Sequence, residues 1–189
     1  MGLCNGTRRV RRAAVMVTAV ASVLAASGCG AIVGTSEAQE IARINVSSPD
    51  LREGRPLPRQ FSCQGTQGSP PLRWSSRPLE EAETVAIVVD SNSAESSGVY
   101  WVLYNIPATT TELGPNAAED PPEGSGQATV TSGKAGYEPP CVVKGAYRFS
   151  VYTLRGKVEE EHSDSLSDVL RRIADLTIAR GRLTAVNIE

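Results

Sequence analysis

Tyr100-Trp101-Val102-Leu103-Tyr104-Asn105-Ile106-Pro107 has the composition of a buried strand. Aromatic and aliphatic side chains fill it almost without interruption, and Pro107 ends it because proline has no N–H to give to a strand ladder. Upstream, Val85-Ala86-Ile87-Val88-Val89 is a shorter apolar run of mostly β-branched residues, the pattern of a strand covered on both faces. It ends in Asp90. Downstream, Tyr147 to Leu154 alternates, with Tyr147, Phe149 and Val151 on one side and Arg148, Ser150 and Tyr152 on the other. All nine aromatic residues lie between Phe61 and Tyr152, so the sheet core belongs there.

A helical period appears only after these strands. Leu166, Val169, Leu170, Ile173 and Leu176 recur at spacings of three and four, Ser165 and Asp168 form an imperfect capping pair, and Gly181 suits a C-terminal stop. Leu183 to Ile188 suits a last short strand. The stretch from Glu112 to Gly126 is rich in Pro, Gly, Asn and acids and reads as an exposed loop. No internal repeat is visible. The pattern predicts a mainly β (α+β) domain in which one C-terminal amphipathic helix covers a sheet.

The N-terminus carries an address rather than fold information. Arg8, Arg9, Arg11 and Arg12 precede an apolar run from Ala13 to Ala26, and small residues lead directly to Cys29. That order is a secretory signal, and a cysteine just after the small residues is the arrangement of a bacterial lipobox. Residues 1–28 therefore read as a signal peptide and 29–40 as a lipidated Cys29 with a flexible tether. Residues 41–189 read as the domain. Acyl chains on Cys29, palmitate among them, would hold the protein on the extracytoplasmic face of the cell membrane; signal cleavage and release is the other reading.

Removing residues 1–28 leaves 15 basic against 21 acidic side chains, a net charge of about −6. This argues against nucleic acid and against polybasic docking to anionic lipid. Cys4 leaves with the signal and Cys29 is the anchor, so Cys63 and Cys141 remain together in an oxidising compartment, where a disulfide is expected. Free thiols or a metal pair are the competing reading, weakened because no His or third Cys accompanies them.

From roughly Ile44 to Ile188 the chain resembles the phosphatidylethanolamine-binding proteins, also called Raf kinase inhibitor-like proteins, in their bacterial branch. The residues that carry the likeness are Phe61-Ser62-Cys63-Gln64-Gly65, Ser69-Pro70-Pro71-Leu72-Arg73-Trp74, the strand entering Asp90, Trp101 to Pro107, and Gly133-Lys134-Ala135-Gly136-Tyr137. The resemblance implies antiparallel β-sheets packed as a sandwich with the C-terminal helix against one face, and a small anion-sized pocket formed by an Asp-Pro-Asp-Ala-Pro motif, a His before the Trp, and a His-Arg-Tyr after a proline-rich turn. Here Asp90 keeps the first Asp, while Ser91, Asn92, Ser93 and Ala94 replace the rest. Tyr100 stands for the first His, Gly145 for the second, and Tyr147 keeps the family's Tyr. Losing both imidazoles abolishes a cationic form near neutral pH, and losing both prolines removes the rigid turn that aims Asp90.

The expected ligand-binding residues are Asp90, Tyr100, Trp101, Tyr137, Pro139, Pro140 and Tyr147, converging on one rim. The expected ligand is a small anion or phospholipid headgroup in a degenerate pocket, with no cofactor and no metal. The alternative is an inhibitor or docking partner of an extracellular protein such as a hydrolase or kinase. Catalysis is not expected. The only histidine, His162, lies among acids in what reads as a solvated linker, and no Gly-x-Ser-x-Gly turn is present.

Overall fold

The computed structural model describes residues 41–75, 80–159 and 164–189. The segments expected as signal peptide and tether, with Cys29, and His162 lie outside the described residues. Two sheets and one helix make up the domain. Strands β1 (Ala42–Arg43), β4 (Thr84–Ser91), β5 (Gly98–Pro107), β7 (Gly126–Gln127), β8 (Ala146–Leu154) and β9 (Thr177–Val186) form a six-stranded sheet in the order β1-β9-β8-β4-β5-β7. Strands β2 (Val46–Ser47), β3 (Leu72–Trp74) and β6 (Glu112–Leu113) form a small second sheet in the order β2-β3-β6. Pairing is antiparallel except between β1 and β9.

The central strand β4 is buried along almost all its length because it feeds two cores. Val85, Ile87 and Val89 pack with Leu72 and Trp74 of β3, Trp101, Phe149 and Tyr147 between the sheets. Ala86 and Val88 pack on the other side with Val102, Leu154 and the Val169 and Ile173 side chains of helix α1 (Leu166–Leu176). A period of two sends successive side chains to opposite faces, so an unbroken apolar run is the signature of this sandwiched position.

Helix α1 begins as the periodicity predicts. Ser165 Oγ accepts from the Asp168 N–H while the Asp168 carboxylate accepts from the Ser165 N–H, a complete capping box. Its end is different: Gly181 is not the stop. The helix closes at Leu176, where Thr177 turns to extended backbone and its hydroxyl donates to the Ile173 carbonyl at 2.6 Å. The chain then pairs at once with β8, so the last strand is far longer than Leu183 to Ile188. Gly181 serves a close approach, since a Cβ there would lie 2.2 Å from the Ile44 carbonyl oxygen.

The stretch from Glu112 to Gly126 also departs from an exposed loop. It opens with β6, buries Leu113, Ala117 and Ala118, and is held by Ser69, which accepts from the Ala118 N–H at 3.2 Å through its hydroxyl and from the Asn116 N–H at 2.8 Å through its carbonyl. The Cys63–Cys141 disulfide is present, with Cα atoms 5.2 Å apart, and the Cys63 N–H also donates to the Pro140 carbonyl at 3.0 Å.

Candidate functional site

Tyr100 is aimed by a bulge. Opposite β4, Trp101 pairs with Val89 and Val99 with Asp90, leaving Tyr100 as an extra residue. Such an insertion breaks strict alternation, so Tyr100 packs against the same inter-sheet core as its neighbour Trp101. There its ring meets Tyr147 edge to face, with centroids 5.6 Å apart. The Tyr100 hydroxyl donates to the Ser96 carbonyl at 2.9 Å, and the Tyr147 hydroxyl donates to the Val142 carbonyl. Ser91 and Ser96 share a hydrogen bond of 2.7 Å between their buried hydroxyls.

Gly145 borders this group. A Cβ at 145 would sit 2.4 Å from Ser96 Oγ and 3.3 Å from Tyr147 Cζ, so the serine hydroxyl fills the room that a larger residue would need. The hydroxyls of Ser91, Ser96, Tyr100 and Tyr147 therefore gather in one cluster beside Gly145. Burial raises the pKa of Tyr100, and burial followed by the nearby Tyr100 raises that of Tyr147. Both phenols stay neutral through physiological pH. A recess of about 200 Å³ adjoins Tyr100 on its outer side, lined also by Ser97, Thr131, Ser132 and Glu138.

Asp90 is not part of this group, which corrects the expectation of one shared rim. Its register partner on β8 is Arg148, and the guanidinium grips the carboxylate in a two-pronged ion pair, Nε to Oδ1 at 3.0 Å. The pair lies on the helix face, where Asp90 lines a space with Val88, Tyr152, Leu170 and Ile173. The reason is local. With Ser91 in place of proline, β4 continues its pairing one residue past Asp90, and regular alternation turns the carboxylate away from Val89 and the phenols.

Trp101 is fully buried and is a core residue rather than a rim residue. Its Nε1 donates to Gln127 Oε1 at 2.6 Å, and its ring meets Tyr137 edge to face at 6.0 Å. Tyr137 donates to the Phe61 carbonyl at 2.9 Å, and burial drives its pKa far up. Pro139 is half-buried and Pro140 buried, and the Pro140 carbonyl accepts from Cys63. These three residues hold the disulfide loop against the sheet edge, one step from Tyr100, whose carbonyl accepts from the Glu138 N–H at 2.7 Å. Sequence reading overlooked Ser96. The serine-rich run Ser91-Asn92-Ser93-Ala94-Glu95-Ser96-Ser97 was the available signal, since small hydroxyl residues after a buried strand are ready local donors. Among the described residues no His, Cys, Asp and Glu side chains gather in a group that could hold a metal.

Comparison with known proteins agrees with this architecture. The sequence model described as phosphatidylethanolamine-binding protein matches residues 47–188. The chain belongs to the phosphatidylethanolamine-binding protein family. It is 31% identical over 145 residues to a UPF0098 protein of Methanothermobacter thermautotrophicus, covering 74% of this chain and 95% of the relative. It is 29% identical over 169 residues to a Mycobacterium tuberculosis protein that carries a lipoprotein name, LppC, covering 78% and 82%. The crystal structure of Escherichia coli YbcL, described as a member of the mammalian family, superposes with a TM-score of 0.70 at 27% identity over 78% of this chain and 99% of that one.

Proposed function

We propose that this chain is an exported, lipid-anchored protein that binds a small ligand without converting it, and that the binding place is the hydroxyl cluster beside Gly145. The observation that carries the reading is the cluster of four hydroxyls around Ser96, which is seated between Gly145 and Tyr147, shares a hydrogen bond with Ser91 and accepts through its carbonyl from Tyr100. Hydroxyl hydrogens rotate, so donors now directed at the Ser96 and Val142 carbonyls can be redirected to a phosphate or carboxylate oxygen once Ser96 swings aside. Neutral donors make weaker bonds to anions than charged ones, so affinity is modest. The site's own phenols add no pH dependence from about 5 to 9, because neither raised phenol ionises in that range, so any change of affinity there follows the ligand's own ionisation. The same neutrality supports binding over catalysis, since no group there can act as a base near pH 7. Anchoring through Cys29 rests on the lipobox and is supported by the lipoprotein name of the mycobacterial relative.

A second reading, docking to an extracellular protein, is favoured by one fact: all four hydroxyls already have internal partners. The two readings part in a thermal-shift titration with inorganic phosphate, phosphoethanolamine and acetate. A rise in melting temperature that Tyr147→Phe diminishes and Asp90→Ala leaves intact supports the hydroxyl site. No rise at millimolar concentrations removes it and leaves protein docking, which crosslinking on intact cells then examines.

A further inference from the structure

Helix α1 covers only part of its sheet face. Past Tyr152, the strands β8, β9 and β1 border an open cleft of about 490 Å³ whose lining includes Arg43, Asn45, Ser150, Tyr152, Arg180 and Arg182, and no acidic side chain. Register explains the gathering. Arg180 lies opposite Tyr152 and Arg182 opposite Ser150 on β8, while Arg43 sits beside Arg180 across the parallel β1–β9 pair. Alternation along β9 places Arg180 and Arg182 on one face. Gly181 between them allows the Ile44 backbone to cross close behind, which brings Arg43 and Asn45 to the cleft.

All three arginines are exposed, and none has an acidic partner among the described residues. Arg148, one row along the same face, is by contrast neutralised by Asp90. Like charges set side by side on adjacent strands destabilise a sheet, so the Arg43 and Arg180 juxtaposition is relieved by an anion between them. Three unpaired cations also stand out in a domain whose net charge is negative. Ser150 Oγ accepts from Arg182 Nε at 3.2 Å, which fixes one edge of that guanidinium and leaves its remaining donors for another acceptor. The planar fork of arginine matches phosphate oxygens two at a time, and the volume lies within the range of small-ligand sites.

We propose that this cleft is an anion site on the opposite face of the sheet from the hydroxyl cluster, and that it takes a phosphate group, carried either by a soluble ligand or by a lipid headgroup. It stands independently of the reading given for Gly145. The test is amide chemical-shift mapping of the full exported protein carrying Cys29→Ser, titrated with inorganic phosphate and pyrophosphate. Vesicle co-sedimentation on phosphatidylcholine with and without phosphatidic acid runs beside it. Shifts at Ser150 and Gly181 report the arginine cleft, and shifts at Ser96 and Gly145 report the other site. Arg180→Ala and Arg43→Ala should each weaken phosphate binding at the cleft about tenfold, Arg180→Lys should weaken it less, and Tyr147→Phe should leave it unchanged. Soluble phosphates bound without sedimentation identify a soluble ligand; sedimentation that needs phosphatidic acid and is lost in Arg180→Ala identifies a headgroup. Saturable shifts confined to Ser96 and Gly145, binding indifferent to the arginine substitutions in a folded protein, or no response to either phosphate or vesicles would overturn the proposal.

Discussion

Asn105 shows how one residue can hold a strand in an unusual shape. It adopts φ of 59° within β5, where Tyr104 and Asn105 together oppose the single residue Ala86. Its side-chain amide bridges to Val158, donating to the carbonyl at 3.0 Å and accepting from the N–H at 2.8 Å. Asn105→Ala loses both bonds and places a less tolerant side chain in the left-handed region, so urea unfolding should show a loss of about 2–4 kcal/mol. Asn105→Gly restores the backbone freedom alone and should recover part of it. The tyrosines make a second prediction. Burial raises the pKa of Tyr100, Tyr137 and Tyr147 above their ordinary value near 10, so the folded state holds these protons more tightly than the unfolded chain. The stabilisation is complete below pH 10 and declines as pH climbs above it. Denaturation midpoints measured from pH 8 to 11 should fall at the alkaline end, and less steeply in Tyr137→Phe.

Among the elements, β9 most clearly answers to its surroundings. A strand follows helix α1 without a glycine cap because Thr177 and Ile178 are β-branched and the whole segment Thr177–Val186 finds a partner in β8. Gly181 sits where the link between β1 and β2 passes from one sheet to the other, and that crossing is what joins the two sheets near the N-terminal end of the domain. Gly181→Ala should cost about 1–3 kcal/mol through overpacking against the Ile44 carbonyl. Hydrogen exchange should then quicken at the Ile44 amide, which donates to the Arg180 carbonyl at 3.1 Å, while α1 amides keep their protection. A uniform loss of protection across both cores would show that the contact is not the cause.

For the whole molecule, the disulfide ties positions 78 residues apart, linking the loop after Phe61 to the turn that carries Tyr137. Closing a loop of that length restricts the unfolded chain by about 4 kcal/mol in the entropy model, so the Cys63→Ser, Cys141→Ser double variant should unfold at a clearly lower urea concentration. An unchanged midpoint would show that the unfolded chain is already compact there. Although β9, the fourth long strand, is not among them, local sequence carries the strands β4, β5 and β8, the start of the helix with its capping pair, and this disulfide pairing. Each follows from a local period, a capping pair, or an elimination among few cysteines. Family membership was legible for the same reason, in the order and spacing of short motifs. Where the candidate side chains point is set by strand register in the folded sheet. A bulge at Tyr100 and an unbroken ladder through Asp90 send the phenol and the carboxylate to opposite faces, and nothing in the local sequence counts ladder registers. Likewise Arg43 and Arg180 are remote in the chain and become neighbours through a parallel pairing, since proximity across a sheet is set by register and not by residue type.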